Sequence, residues 1–331
     1  MKIDIHTHIM PAHMPHWTKK FGYGEFIHLE HRNCEACMMK GDKVFRVVEE
    51  NTFNAVERKK DMAATDVTRQ VLSTIPVLFN YWAKPSDALE TSRFLNDHIA
   101  ETVSKDTDAF IGLGTLPLQD IDAAITELER CITELKFPGV EIGSNINGIN
   151  LSDKQFFPFF ETAEKLGCAI FVHPWEMMGE QLMQKYWLPW LVGMPAETTR
   201  AICSMIFGGV FEQFPKLRVA FAHGGGSFPL TIGRIEHGFT VRPDLCAVDN
   251  TVNPRDYIGR FWIDSLVHDP VALEYIIKLM GDEKICMGSD YPFPLGEHHP
   301  GKLIEEVISN DTLRNKLLYE NAYRWLNMVR D

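Results

Sequence analysis

Two histidines near the N-terminus are spaced to bind a metal ion. The sequence begins Met1-Lys-Ile-Asp-Ile-His6-Thr-His8, a short apolar segment that we predict to be a β-strand. Side chains alternate between the faces of a strand, so His6 and His8 point to the same side. Two imidazoles on one side suit zinc, iron or nickel, and a catalytic zinc usually keeps three protein ligands and a water. In isolation the pair could equally be polar residues at a strand end, because the chain has 13 histidines.

Three later segments also carry a potential ligand or base at or just after their ends. Predicted strands lead to His173, His223 and Asp290. Catalytic groups commonly come from several elements that meet in one cavity. We therefore expect these three residues to form one site with His6 and His8. The residue pattern alone permits His223 as a further ligand or as an acid/base group.

Short apolar segments alternate with longer amphipathic ones along the chain. The predicted strands are residues 2–6, 68–74, 109–115, 139–143, 169–173, 218–222, 261–265 and 285–289. Predicted helices include residues 86–104, 120–136 and 153–166, with N-caps at Ser86 and Asp120 and with Gly167 after the third. This alternation predicts an α/β fold, a (β/α)8 TIM-type barrel with its site at the carboxyl ends of the strands. Barrel closure is needed to bring His6 and Asp290 together.

The predicted barrel is a single domain over residues 1–331 with two insertions. Residues 10–50 far exceed a usual connection between a strand and a helix, so we predict a lid-like segment over the barrel mouth. Residues 174–194 form a second insertion. It carries the tryptophans Trp175, Trp187 and Trp190.

Composition excludes several classes of protein. The formal charge of -12, without a basic block, argues against nucleic acid as a partner. No apolar run approaches the ~20 residues of a membrane span. Seven cysteines, an odd number, indicate a reducing compartment, and we expect a soluble protein of the cytoplasm. Because the chain is acidic, an anion site needs local arginines.

Longer segments add specificity to these motifs. They are residues 4–8, 43–48, 76–85, 112–117, 171–175, 186–199, 222–227 and 288–296. On these segments the chain resembles the 2-amino-3-carboxymuconate-6-semialdehyde decarboxylase branch of the amidohydrolase superfamily. The His-x-His motif and the final Asp mark only the superfamily. The strings Tyr-Trp-Leu-Pro-Trp-Leu-Val-Gly-Met-Pro-Ala-Glu-Thr-Thr at 186–199 and Gly-Ser-Asp-Tyr-Pro-Phe-Pro-Leu-Gly at 288–296 are more specific.

The resemblance implies a role for each candidate residue. One zinc ion per chain is held by His6, His8, His173 and Asp290. His223 becomes the acid/base group. The implied substrate-binding residues are Arg46, Arg234, Trp190, Phe293 and Met177, with Arg234 supplied by the neighbouring subunit of a homodimer. No lysine ends the segment 139–143, where two-metal members of the superfamily carry a carboxylated lysine.

The implied activity is zinc-dependent, non-oxidative decarboxylation of 2-amino-3-carboxymuconate-6-semialdehyde to 2-aminomuconate-6-semialdehyde. This reaction belongs to the kynurenine pathway of tryptophan catabolism and limits quinolinate formation. The alternatives are a hydroxybenzoate decarboxylase or dicarboxylic acid hydratase of the same branch, or a metal-containing binding protein without activity. Two routes stay open: addition of an activated water before CO2 loss, or direct protonation of the substrate by His223. Cys34 and Cys37, with His28 and His31, allow a small extra metal site.

Overall fold

The computed structural model describes residues 1–32 and 35–329 of the chain. The strands are β1 (Ile3–Ile9), β2 (Ile27–Arg32), β3 (Glu35–Lys40), β4 (Lys43–Val48), β5 (Arg69–Thr74), β6 (Phe110–Thr115), β7 (Gly139–Gly143), β8 (Asn145–Ile146), β9 (Ile149–Asn150), β10 (Ala169–His173), β11 (Arg218–Phe221), β12 (Trp262–Asp264) and β13 (Ile285–Cys286).

The α-helices lie between and after these strands. They are α1 (Trp17–Phe21), α2 (Ala55–Ala64), α3 (Pro85–Lys105), α4 (Ile121–Thr133), α5 (Phe157–Leu166), α6 (Met194–Phe207), α7 (Val210–Gln213), α8 (Phe228–Val241), α9 (Pro243–Cys246), α10 (Pro270–Met280), α11 (Lys302–Val307), α12 (Asp311–Asn315) and α13 (Asn321–Leu326). Within the described ranges, no helix is both long and apolar enough to span a membrane.

Eight parallel strands form the barrel, in the order β1-β5-β6-β7-β10-β11-β12-β13. The first strand meets the segment around the last: the amide of Ile5 donates to the carbonyl of Met287 at 2.9 Å, and the amide of His8 donates to the carbonyl of Tyr291 at 2.8 Å. Both contacts join the two ends of the sheet. The predicted (β/α)8 barrel is confirmed, and its closure brings the N-terminal histidines to the segment of Asp290.

Apolar burial and helix capping explain most of the element boundaries. The strands β1, β7 and β10 are buried along their whole length, as expected for a parallel sheet covered on both faces. Asp120 caps α4 by accepting from the amide of Ala123, and Gly167 ends α5 at φ 64°, as predicted. The predicted N-cap at Ser86 is wrong. Pro85 occupies the first turn of α3, where its fixed φ suits the helix, and Lys84 is the N-cap.

The insertion at 10–50 contains regular structure that the sequence analysis did not predict. Strands β2, β3 and β4 form an antiparallel sheet. Its buried residues pack on the barrel segment after β5 in one apolar cluster. That cluster includes Met10, Ile27, Met38, Val48, Ile75, Val77 and Leu78. The sheet therefore brings side chains of β3 and β4 to the carboxyl end of the barrel. Motion of this segment as a lid stays a prediction.

Candidate metal centre and active site

Four side chains from three parts of the chain converge at the carboxyl end of the barrel. His6 and His8 lie on β1, His173 ends β10, and Asp290 follows β13. Their potential ligand atoms all lie within 4.8 Å of one another, and all four residues are buried. This is the set that the sequence predicted, and barrel closure is what brings Asp290 to the histidines.

The hydrogen bonds of the three histidines hold Nδ1 of each ring and turn Nε2 toward the middle of the four-residue cluster. Nδ1 of His6 lies 2.8 Å from Oδ2 of Asp264. Nδ1 of His8 lies 2.9 Å from the carbonyl of Thr74, and Nδ1 of His173 lies 3.0 Å from the carbonyl of Pro174. A proton on Nδ1 leaves a lone pair on Nε2.

The remaining donor atoms fit a single divalent metal ion. Nε2 of His6, His8 and His173 is buried without a hydrogen-bond partner in the described structure. Oδ1 of Asp290 lies 3.4 Å from Nε2 of His6 and 3.2 Å from Nε2 of His8. Buried polar atoms without partners are costly, and a cation among them removes that cost. Three imidazoles and one carboxylate are a donor set suited to zinc and similar metals.

Electrostatics favour the protonation states that ligands need. Burial lowers the pKa of His8, and it lowers the pKa of His173 well below its usual value. Burial alone raises the pKa of Asp290, but the neighbouring histidines outweigh it and hold that pKa well below its usual range. His8 and His173 are therefore held in the neutral form and Asp290 in the ionised form, which are the forms that bind a metal ion.

His223 lies beside this cluster but outside the group of mutually close ligand atoms. Its ring centroid is 5.1 Å from those of His6 and His173, and its Nε2 is 3.7 Å from Oδ2 of Asp290. Both ring nitrogens lack a hydrogen-bond partner among the described residues. Its backbone amide donates to Asp264 at 2.8 Å, which fixes the turn after β11. This position suits proton transfer better than ligation.

A largely apolar cavity opens above the cluster. Its walls are His8, Met38, Phe45, Arg46, Ile75, Pro76, Val77, His173, Trp175, Trp187, Trp190, Met194, Asp290, Phe293, Pro294 and Leu295. The predicted residues Arg46, Trp190 and Phe293 are among them. Met177 is not: it is buried and packs against Gly193. Arg234 is exposed on α8 and is not a wall of this cavity within its own chain.

Arg46 is the cation of this cavity. Its guanidinium carbon lies 4.7 Å from the ring centroid of Phe293 and 5.8 Å from that of Trp190. Burial lowers its pKa, and the charge of Asp290 acts in the opposite direction. No ion pair of Arg46 exists among the described residues. A planar fork of donors without a carboxylate partner is suited to bind the carboxylate of a ligand.

Two buried carboxylates near the histidines were missed by the sequence reasoning. Asp264, at the end of β12, accepts from His6 and from two backbone amides after β11. A signal for it existed, since the predicted strand 261–265 includes an acidic residue at its carboxyl end. Glu141, on β7, has one carboxylate oxygen 3.7 Å from Nδ1 of His8, and burial raises its pKa well above the usual value. No pattern in the sequence marked Glu141.

The extra metal site suggested by Cys34 and Cys37 receives no support. Cys34 lies outside the described residues, and Cys37 is buried. His28 and His31 are three residues apart on β2, so their side chains point to opposite faces of the sheet. Nε2 of His31 lies 2.8 Å from the carbonyl of Ala12.

Comparison with known proteins decides the family. The sequence matches the amidohydrolase family over residues 3–328. The chain belongs to the amidohydrolase family. A 2-amino-3-carboxymuconate-6-semialdehyde decarboxylase from Dictyostelium discoideum is 57% identical over 330 residues, covering 99% of this chain and 92% of that protein. A protein of the same name from Caenorhabditis elegans is 40% identical, covering 99% of this chain and 94% of its own length.

A solved decarboxylase structure supports the fold. A dihydroxybenzoic acid decarboxylase from Polaromonas sp. JS666, with bound manganese and the inhibitor 2-nitroresorcinol, superposes with a TM-score of 0.80. It is 21% identical and covers 100% of this chain and 98% of its own. The resemblance drawn from the sequence motifs, to the 2-amino-3-carboxymuconate-6-semialdehyde decarboxylase branch of the amidohydrolase superfamily, is thus confirmed, and so is the barrel.

Proposed function

We propose that this protein is a zinc-dependent decarboxylase that converts 2-amino-3-carboxymuconate-6-semialdehyde to 2-aminomuconate-6-semialdehyde and CO2. One observation carries the proposal: the half-buried guanidinium of Arg46, without an ion pair among the described residues, lines the same cavity as His173 and Asp290. Such a cavity suits a flat, conjugated acid. The names of the relatives at 57% and 40% identity support this substrate.

We assign the metal to Nε2 of the three histidines and to the carboxylate of Asp290. One zinc ion per chain matches the number of donor atoms in the cluster. When bound, zinc supplies a Lewis acid that polarises the substrate group it contacts. The histidines and their hydrogen-bond partners keep the donor atoms in place, so the site needs little rearrangement on loading.

We assign proton transfer to His223. Its ring delivers a proton to the enamine carbon that carries the leaving carboxylate, and the adjacent amino group becomes an iminium. The tetrahedral carbon then loses CO2, and the bonding pair restores the double bond. A proton replaces the carboxylate, and no vinyl anion forms. His223 regains its proton from water.

The remaining walls bind and orient the substrate. Arg46 pairs with a substrate carboxylate, and the rings of Trp190 and Phe293 cover a planar carbon chain. Trp175 and Trp187 also line the cavity and help to exclude water. Exclusion of water strengthens the pairing with Arg46, because charge interactions are screened less in an apolar cavity.

The active form in this proposal is a homodimer in which Arg234 reaches the partner's site. Arg234 is exposed on α8, and Leu230 on the same helix is 78% exposed. On α10, Val271 is 71% exposed, and Tyr275 ties the two helices together by donating to the carbonyl of Pro229 at 2.8 Å. An exposed apolar face around an arginine is typical of an interface between subunits.

We place the activity in the kynurenine pathway of tryptophan catabolism, where it limits the supply of precursor for quinolinate. The cysteines that the structure describes are free thiols, which supports a reducing compartment, and we infer the cytoplasm. Hydroxybenzoate decarboxylation is the second candidate, because the cavity walls are rich in aromatic rings.

Substrate absorbance tests the proposal. The conjugated semialdehyde absorbs in the ultraviolet, so its decay with and without zinc-loaded protein is followed while CO2 is measured. We expect faster decay with one CO2 per substrate, and a loss of turnover on the order of 10²–10⁴-fold in His223→Ala with zinc content unchanged. A parallel assay with 2,6-dihydroxybenzoate separates the second candidate. Full activity in His223→Ala would eliminate the mechanism.

A further inference from the structure

Arg58 is a buried charge behind the site. It lies on α2 and is fully shielded from solvent. Burial lowers its pKa to about 10, so it remains charged at neutral pH. Burying a guanidinium costs free energy of desolvation, no carboxylate among the described residues is bonded to Arg58, and its Nη2 lacks a hydrogen-bond partner there. Its contacts point to another role.

The hydrogen bonds of Arg58 join segments that are distant in the chain. Nη1 donates to the carbonyl of His8 at 2.7 Å and to the carbonyl of Asn51 at 3.0 Å. Nε donates to Oε1 of Gln70 on β5 at 3.0 Å. One side chain therefore holds the end of β1, the segment after β4 and the neighbouring barrel strand.

Arg58 also supports the residue that follows Asp290. Its guanidinium carbon lies 4.7 Å from the ring centroid of Tyr291. The hydroxyl of Tyr291 donates to Oδ2 of Asp61 at 2.6 Å, and the amide of His8 donates to the carbonyl of Tyr291 at 2.8 Å. The ring thus contacts both Arg58 and Asp61, which belong to α2, and its backbone is bonded to β1.

The same helix anchors the segment that presents Arg46. Asn51 lies three residues after the end of β4, the strand that carries Arg46. Its side-chain amide donates to Asp61 at 2.9 Å, and its carbonyl accepts from Arg58. A shift of Asn51 would displace the end of β4, and with it the guanidinium of Arg46 on the same strand.

We propose that Arg58 is a positioning residue. It fixes the positions of the metal ligands and of Arg46 relative to one another. It contacts the backbone of His8, the ring next to Asp290 and the anchor of the strand bearing Arg46, and it touches no reacting atom. The inference rests on the proposed metal centre. Loss of Arg58 should therefore speed the release of the metal and weaken binding of the substrate carboxylate at the same time. Loss of an arginine with a purely structural role should lower only the stability of the fold.

Arg58→Lys tests this role. Lysine keeps the positive charge and is compatible with the helix, but it lacks the planar guanidinium that bonds both carbonyls and stacks on the ring of Tyr291. The rate of zinc transfer from the loaded protein to a chelator is measured beside KM. We expect zinc loss on the order of tenfold faster and a higher KM. Arg130→Met is the matched control: Arg130 bonds Glu127 and Asp97 between α3 and α4. We expect it to lower the unfolding midpoint only.

Free guanidinium ion gives a second readout. A cavity of about 530 Å3 is lined by Asn51, Asp61 and Tyr291, the neighbours of Arg58, and we expect the ion to enter the space left by Arg58→Ala from this side. We expect millimolar guanidinium to slow zinc loss in Arg58→Ala and not in Arg130→Met.

The outcomes are distinguishable. If Arg58→Ala does not fold, the rate of zinc loss and the KM of Arg58→Lys provide the test. Zinc loss and KM within twofold of wild type in Arg58→Lys would overturn the inference, as would an equal effect in Arg130→Met. A wild-type protein that takes up no zinc counts against the proposed function instead.

Discussion

The carboxylate of Asp264 lies 2.8 Å from Nδ1 of His6, and both side chains are fully buried. The same carboxylate accepts the backbone amides of His223 at 2.8 Å and of Gly224 at 2.7 Å. One residue at the end of β12 therefore orients the candidate metal ligand His6 and fixes the turn that carries His223, the proposed acid/base group. A carboxylate behind a ligating imidazole also makes it a better donor to the metal.

Asp264→Asn is expected to weaken metal binding by about 10- to 100-fold, because the amide cannot serve both the imidazole and the turn amides equally. Competition with a chelating dye measures the affinity. The matched control is Glu127→Gln, another fully buried carboxylate, which bonds Asn96 and Arg130 away from the site. Equal metal affinity in Asp264→Asn and wild type would contradict this role.

Arg46→Met is expected to raise KM by roughly 10- to 100-fold, since a hydrogen bond to a charged group contributes about 1.5–3 kcal/mol. Its guanidinium is half-buried without an ion pair in the described structure, so the free energy of unfolding should stay equal or rise. Steady-state kinetics and urea titration measure the two effects. Arg242→Met, which removes an exposed arginine paired with Asp244, is the control. An unchanged KM in Arg46→Met would refute carboxylate binding by this residue.

Mixing inactive variants tests the shared site. Chains with His223→Ala and chains with Arg234→Ala are combined under conditions in which subunit exchange is demonstrated. If Arg234 acts in the partner's site, each mixed dimer regains one complete site and activity returns. Mixing His223→Ala with Arg46→Ala should restore nothing, because Arg46 lines the cavity of its own chain. Equal recovery in both mixtures, or none in the first, argues against sharing.

Glu297 predicts a pH dependence of stability. Burial raises its pKa from 4.5 to about 7. The folded protein therefore binds this proton more tightly than the unfolded chain. The contribution of protonated Glu297 to the free energy of unfolding is therefore fully present below pH 4.5 and is lost as pH rises through about 7. Glu297→Gln should flatten that part of the profile, measured as unfolding free energy between pH 4.5 and 8, whereas Glu306→Gln on the surface should not. Parallel profiles for Glu297→Gln and wild type would show that this carboxyl is not the source.

The sequence predicted the barrel and the convergence of the four candidate ligands because both depend on local spacing. His6 and His8 share a strand face, and strand ends in a parallel barrel meet at one rim. The final strand is shorter than predicted, Ile285–Cys286 instead of 285–289, since the chain turns toward Asp290 at Gly288 and Ser289. Ser289 there donates its amide to the carboxylate of Asp4.

Residues that act through tertiary contacts could not be identified from sequence patterns. Arg58 and Glu141 lie within ordinary helix and strand patterns, and their roles depend on neighbours many residues away in the chain. The antiparallel sheet of β2, β3 and β4 was also not predicted, although Ile27, Leu29 and His31 alternate along β2 as residues of a strand do. The prediction for residues 10–50 was a lid-like insertion without assigned strands, because it rested on the length of the segment.

An anomalous-scattering map recorded at the zinc edge tests the central claim most directly. We predict one strong peak per chain, within bonding distance of Nε2 of His6, His8 and His173 and of a carboxylate oxygen of Asp290. A peak away from these four residues, or a zinc-loaded crystal with Asp290 beyond bonding distance of the metal, would contradict the account.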